Sequence, residues 1–114
     1  MDMILHITTW SAWQTAVSAG TYTTDSLTAE GFIHCSTVEQ LLIPANERFR
    51  GQTDLVLLCI DPQKLQYPLV YEDCYETGIA FPHIYGPLNT DAVLKVVKFP
   101  PKPDGFFEMP AEVA

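Results

Sequence analysis

LVLLCI, at residues 55–60, is the longest wholly apolar run in the chain and decides how it folds. Turn-forming residues flank it, with Gly51 before it and Asp61-Pro62 after it. The run is too short to cross a membrane as a helix, and its length is typical of a strand covered on both faces. It therefore predicts the central strand of a β-sheet.

Further strand-like segments lie on both sides of this run. Residues 3–8 alternate so that one side of a strand would be wholly apolar. Residues 93–99 are the last clear strand-like segment, with one lysine on each side of the predicted strand. Residues with high β-propensity predict short strands at 32–36 and 70–72. Residues 81–88 contain two prolines and a glycine, which predict a shaped loop with one extended dipeptide pair at its centre.

A first helix is predicted directly after the first strand. Residues 10–19 carry apolar side chains at helical spacing, with Ser11 as the expected cap and Gly20 where the helix would stop. The segment 21–30 is rich in Thr, Ser and Asp without periodicity. It predicts an irregular connection or a lid.

A second helix is predicted after the strand at 32–36. Ser36 and Glu39 have the spacing of a capping box, so the helix is expected to begin there. Pro44 is expected to kink or restart it before it ends at Phe49.

These elements predict an α+β fold. The connections are too short for parallel crossovers, so we expect a single compact domain with a small, mainly antiparallel split β-sheet and two to three helices. The domain is predicted to cover residues 1–99. Four prolines make residues 100–114 a tail that packs on the domain or extends from it without pairing inside a sheet.

Composition limits the partners and the compartment. Fourteen acidic residues against six basic ones give a net charge of −8, which disfavours duplex nucleic acid and anionic membranes as partners. Arg48 and Arg50 remain able to meet the phosphates of a small ligand. The three cysteines show no C-x-x-C spacing, which predicts neither a disulfide framework nor a zinc ribbon and favours a cytoplasmic location.

The three histidines share one local pattern, because each is followed two residues later by a hydroxyl-bearing residue. The pairs are His6 and Thr8, His34 and Ser36, and His83 and Tyr85. On an extended backbone such pairs share a face, so we expect three imidazole–hydroxyl pairs to line one polar cleft. A strand histidine is also often only a hydrogen-bonded structural residue.

Several chemistries suit such a cluster. Imidazoles can transfer protons, recognise ribose or phosphate, or bind zinc, although the sequence has neither H-x-H nor H-E-x-x-H spacing. Glu72 would supply a cleft carboxylate, or would belong to a solvated acidic loop. The predicted catalytic residues are His34, His83 and Glu72, and the predicted ligand-binding residues are His6, Thr8, Ser36, Tyr85 and Arg48.

Two motifs, EGFIHCS at 30–36 and FPHIYGPL at 81–88, resemble the domain of unknown function 952 family, and the likeness covers nearly the whole chain. That family is in turn similar to the ADP-ribosyltransferase and RNA 2′-phosphotransferase superfold, whose cleft holds NAD or a related nucleotide. The resemblance implies that His6 holds ribose and that His34 and Ser36 line the second strand. Glu72 or His83 would take the third role.

The resemblance favours a cleft that binds NAD, as a possible substrate, or a similar phosphorylated nucleotide, with group transfer as the chemistry. A non-catalytic small-ligand module and a three-histidine metal-dependent hydrolase are the alternatives from other classes. A homo-oligomer or a partner contact through Phe106 and Phe107 is a further hypothesis.

Overall fold

The computed structural model describes residues 3–74 and 76–113. Three α-helices and eight strands occur in the described chain, together with 3-10 turns at Pro62–Lys64 and Thr90–Ala92. In chain order they are β1 (Ile4–Thr9), α1 (Trp10–Ala19), β2 (Thr21–Tyr22), α2 (Asp25–Glu30), β3 (Ile33–His34), α3 (Leu42–Arg48), β4 (Leu55–Ile60), β5 (Leu69–Glu72), β6 (Phe81–Ile84), β7 (Leu88–Asn89) and β8 (Val93–Lys98).

The first sheet is built around the apolar run. β4 lies between β1 and β8, both pairings are antiparallel, and every residue of β4 is buried. Ile4 and Leu58 point into one core layer, whereas Leu5 and Leu57 point into another. The prediction of a central strand covered on both faces is thus confirmed. The apolar run takes this position because hydrophobic burial is the dominant favourable contribution to folding.

The second sheet carries two of the histidines. Its order is β3-β6-β5, again antiparallel, with His34 opposite His83. Cys35 N donates to the Pro82 carbonyl over 3.1 Å, but Pro82 has no N–H to return the bond, so β3 ends after two residues. The chain is then able to leave this sheet.

A backbone bridge joins the two sheets. Leu5 N donates to the Ser36 carbonyl and Ser36 N donates to the Leu5 carbonyl, both over 2.8 Å. The bridge brings the start of β1 beside the end of β3. It is the feature that places His6 next to His34.

Three local predictions are wrong. Residues 81–84 form a central strand and not a loop, because both neighbouring strands pair with them. Segment 25–30 is a short helix, since Thr24 caps it by accepting from Leu27 N over 3.2 Å. The cap of α1 is Thr9 and not Ser11, because the Thr9 hydroxyl accepts from Ala12 N.

The predicted capping box is also wrong. Ser36 is buried in the bridge to β1, and α3 begins at Leu42 without a side-chain cap. Pro44 therefore falls in the first turn of the helix, where no intrahelical N–H is required, and it neither kinks nor restarts the helix.

The C-terminal segment folds back onto the first sheet. Phe107 is 3% exposed and stacks on Phe99 with ring centroids 4.6 Å apart. Val113 is buried in the same layer, whereas Phe106 is 39% exposed. Phe107 is therefore a core residue of the domain, whereas Phe106 lies at the surface.

In the part of the chain that the structure describes, no helix has the length and apolar character required to cross a membrane.

Candidate functional site

A cavity of about 590 Å³ opens where the two sheets meet α2 and α3. This volume lies within the range of roughly 300–1,000 Å³ that is usual for small-molecule sites. Its wall contains side chains from both sheets and both helices. The polar ones on which the argument depends are His6, Tyr22, Ser26, His34, Arg48 and His83.

His6 is a buried histidine whose two ring nitrogens both contact protein atoms. Its Nδ1 lies 2.5 Å from the His34 carbonyl oxygen, and its Nε2 lies 2.7 Å from the Tyr22 hydroxyl. Burial lowers the pKa of His6 to about 4, the hydrogen bond to the His34 backbone opposing this effect. The ring is thus neutral at physiological pH.

The neutral state fixes the direction of a buried chain of hydrogen bonds. A carbonyl can only accept, so Nδ1 of His6 carries the proton and Nε2 accepts from the Tyr22 hydroxyl. The Tyr22 hydroxyl oxygen also lies 2.9 Å from Thr8 Oγ1, which extends the chain. Burial raises the pKa of Tyr22 to about 12, so Tyr22 keeps its proton.

His34 is the histidine that meets solvent. Its side chain is 26% exposed, and its Nε2 lies 3.1 Å from Glu30 Oε1 at the end of α2. The Phe32 ring packs edge-on against His34, with centroids 4.9 Å apart. His34 is therefore oriented by a carboxylate and an aromatic ring at the cavity.

His83 is held from two sides. Its ring stacks on Phe32 with centroids 3.9 Å apart, and its Nδ1 lies 2.8 Å from Glu72 Oε1. The Tyr85 hydroxyl also donates to Glu72 Oε1. The hydrogen bonds from Tyr85 and then from His83 hold the pKa of Glu72 below its ordinary value, so Glu72 is a carboxylate.

Cys74 lies beside the same carboxylate. Its Sγ is 3.8 Å from His83 Nδ1. Desolvation, followed by the charges of Glu72 and Glu30, raises the pKa of the Cys74 thiol. Glu72 acts in the same direction on Tyr85, whose hydrogen bond to it is the main reason that the pKa of Tyr85 rises to about 12.

The structure brings five of the eight predicted site residues to the cavity wall. These are His6, His34, Ser36, Arg48 and His83. The other three do not line the cavity. Thr8 is hydrogen-bonded to Tyr22, which contacts His6. Glu72 is hydrogen-bonded both to His83, which lines the cavity, and to Tyr85. His34 and His83 face each other, with ring centroids 5.4 Å apart.

The pattern of histidines and hydroxyls does not reveal four residues that shape this site. Tyr22 and Phe32 gave no periodic signal, and Cys74 lies in an acidic loop. Glu30 was visible only as the first residue of the motif at 30–36. Their roles depend on contacts between the sheets, which local spacing does not encode.

The three histidines do not form a metal-binding set in the described residues. Both nitrogens of His6 are already engaged by protein atoms. The potential metal ligands that do lie within 4.8 Å of one another are Glu72, Cys74 and His83. The structure thus offers no support for a hydrolase built on three histidine ligands.

The fold and the site together define a small α+β domain in which two three-stranded antiparallel sheets and the short β2-β7 pair converge on a histidine-lined cavity. A family model described as "Protein of unknown function (DUF952)" matches residues 7–96. The chain belongs to this family, as the motifs at 30–36 and 81–88 predicted. A search of curated proteins found no significant match.

Solved structures with the same fold come from Caulobacter crescentus. The crystal structure of its protein CC0527 has a TM-score of 0.87 and 31% sequence identity, with 97% of each chain covered. A double mutant of CC0527 gives 0.86 and 30% identity over 97% of each chain. The solution NMR structure of CC0527 gives 0.77 and 30% identity, covering 100% of this chain and 98% of that one.

Proposed function

We propose that the cavity binds a phosphorylated nucleotide of the NAD type. The observation that carries this proposal is the convergence of His6, His34 and His83, which are distant in sequence, on one cavity that Arg48 also lines. Convergent polar groups in a pocket of this volume are the usual mark of a small-molecule site. The similarity to the ADP-ribosyltransferase superfold supports the choice of ligand.

The charges on the wall suit different parts of such a ligand. Arg48 is the arginine of the cavity wall, and guanidinium groups bind phosphate through paired, charge-assisted hydrogen bonds. Asp25 and Glu47 also line the cavity, and carboxylates accept hydrogen bonds from ribose hydroxyls. A nucleotide offers a phosphate to Arg48 and ribose hydroxyls to the two carboxylates, whereas inorganic phosphate has no ribose.

Group transfer is the chemistry that we propose beside His34. In such a reaction the ribosyl C1′–N bond breaks, nicotinamide leaves with the bonding electrons, and an acceptor nucleophile forms the new bond to C1′. The acceptor must lose a proton, and His34, oriented by Glu30 at 3.1 Å, is the group that would receive it. Glu72 serves instead as a positioning residue, since it contacts His83 and Tyr85 behind the wall.

Calorimetric titration with NAD and ADP-ribose tests binding, and release of nicotinamide from NAD tests transfer. The Arg48→Gln variant is expected to bind NAD about 10- to 100-fold more weakly, because a hydrogen bond to a charged group contributes roughly 1.5–3 kcal/mol. Arg50→Gln is the matched control, since Arg50 lies over the Phe106 ring at 4.7 Å. Equal affinity in both variants, or no binding by the unaltered protein, would contradict the proposal.

A non-catalytic ligand-binding module is the second candidate. It is favoured by the placement of Glu72 behind His83 and by the two internal hydrogen bonds that occupy His6. This module would bind NAD or ADP-ribose with the same sensitivity to Arg48→Gln, but it would release no nicotinamide. The two assays together therefore separate it from a transferase.

We further propose that the protein works in the cytoplasm. Its cysteines Cys35, Cys59 and Cys74 are all free thiols, which accords with a reducing compartment. Fractionation of cells that express the tagged protein tests this, and recovery in an oxidising compartment would contradict it.

A further inference from the structure

Three side chains with different metal-binding atoms lie together beside the cavity. Glu72 Oε1 lies 2.8 Å from His83 Nδ1, and Cys74 Sγ lies 3.8 Å from the same nitrogen. All three potential ligand atoms lie within 4.8 Å of one another. We propose that Glu72, Cys74 and His83 form a binding site for a divalent metal ion of the zinc class.

The two donor separations from His83 are close to those of a zinc tetrahedron. Zinc bonds of roughly 2.0–2.1 Å to nitrogen, 2.0–2.2 Å to oxygen and 2.3 Å to sulfur place neighbouring ligands about 3.3–3.6 Å apart. The separations from His83 Nδ1 to Glu72 and Cys74 differ from this by about half an ångström or less. The Glu72 side chain is 29% exposed and Cys74 is exposed, so an ion can reach both from solvent.

The donor types select the metal. Thiolate and imidazole favour zinc and its neighbours among the transition metals, whereas magnesium and calcium require oxygen ligands. A zinc ion with one thiolate, one carboxylate and a neutral imidazole leaves no net charge in the cluster. The fourth position stays open for water or a substrate atom, as in catalytic zinc sites.

Metal binding would displace one proton from His83 Nδ1 and one from the Cys74 thiol. The ion would replace the proton on Nδ1 of His83, and this proton would pass through solvent to Nε2, so the ring stays neutral. The Cys74 thiol would release its proton to solvent, because the thiolate is the form that binds the metal. Glu72 is already a carboxylate and would release none.

Neighbouring groups hold two of the ligands in place. Tyr85 donates a hydrogen bond to Glu72, and Phe32 stacks on the ring of His83 at 3.9 Å. Such outer contacts orient metal ligands, and their loss typically weakens metal affinity about 10- to 100-fold. A simple structural hydrogen bond between Glu72 and His83 would not require Cys74 to lie beside them.

The test uses cobalt(II) as a spectroscopic substitute for zinc. Titration of the metal-free protein under reducing conditions is expected to saturate at one cobalt ion per chain, with a thiolate-to-cobalt charge-transfer band. Added zinc should abolish this band, whereas magnesium should not. The assay needs no nucleotide, so its failure would leave the proposed nucleotide binding intact.

Variants identify the ligands. Cys74→Ser is expected to lose the charge-transfer band, and Tyr85→Phe to bind cobalt about 10- to 100-fold more weakly. Cys74 is exposed, so its replacement should leave the fold intact, as circular dichroism would verify. Cys59→Ala, which alters a buried thiol in the core, is the control and should keep the band. No band in the unaltered protein, or an unchanged band in Cys74→Ser, would overturn the proposal.

Discussion

Acidification is expected to destabilise this protein through the buried ring of His6. Burial lowers the pKa of His6 from 6.5 to about 4 in the folded state, whereas an unfolded chain restores the ordinary value. Between these values the unfolded state binds more protons than the folded state. The stabilising contribution of neutral His6 is therefore complete above about pH 6.5 and is lost as the pH falls towards 4.

The size of the effect follows from the two pKa values. A group with these values loses about 2 kcal/mol of its contribution to the free energy of unfolding between pH 8 and pH 5. His6 is 7% exposed, so solvent screening does little to reduce this figure. The loss is a large part of the roughly 5–15 kcal/mol by which domains are usually stable.

Urea unfolding at several pH values measures the loss, and His6→Gln supplies the comparison because glutamine does not titrate. The variant should be less stable at pH 8, yet its stability should fall by about 2 kcal/mol less on going to pH 5. Glu72, with its lowered pKa, contributes stability that is lost only below its ordinary value of 4.5, outside this window. Equal pH dependence in both proteins, or a His6 ring that titrates near 6.5 by NMR, would refute the reasoning.

Three further substitutions probe the packing around the site. Tyr22→Phe leaves the buried Nε2 of His6 without its partner at 2.7 Å and should cost about 1–3 kcal/mol in thermal unfolding, whereas the exposed Tyr67→Phe should cost almost nothing. Gly86→Ala places a Cβ 2.2 Å from Tyr67 Cγ and should lower the melting temperature; an unchanged value would contradict this close packing. Phe107→Ala should cost about 3–5 kcal/mol, and a similar loss in the exposed Phe106→Ala would show that burial does not decide the difference.

The first sheet and its helix could be predicted because their signals are local. The run at 55–60 is apolar throughout and occupies the middle of its sheet, where both faces are covered. Gly20 ends α1 in the left-handed conformation, with φ 79° and its N–H on the Ala16 carbonyl. Hydrophobic pattern and backbone freedom act over a few residues, so the sequence displays them directly.

The second sheet was harder to predict because its pairing depends on distant residues. A proline inside a strand normally argues against a central position, and Pro82 is tolerated because pairing with β3 stops at the point where its missing N–H would be needed. The short helix at 25–30 did have a local signal, a Thr24 cap and a Gly31 stop, but its six residues show no helical periodicity.

The residue types of the candidate site could be predicted, but not which of these residues are buried and which face solvent. Histidines separated in sequence do reach one cavity, yet the bridge between Leu5 and Ser36 that aligns them has no sequence signature. The shared face of His6 and Thr8 was expected to be wet, whereas both side chains are buried against Tyr22. Only the packing of the two sheets decides which ring meets solvent.

Histidine ring NMR during titration with NAD is the most direct test of a nucleotide-binding cavity. The account predicts saturable shifts of the His34 signals, which come from the histidine that solvent reaches, and their loss in Arg48→Gln but not in Arg50→Gln. Ring signals that stay unmoved at saturating NAD and at saturating ADP-ribose would contradict it.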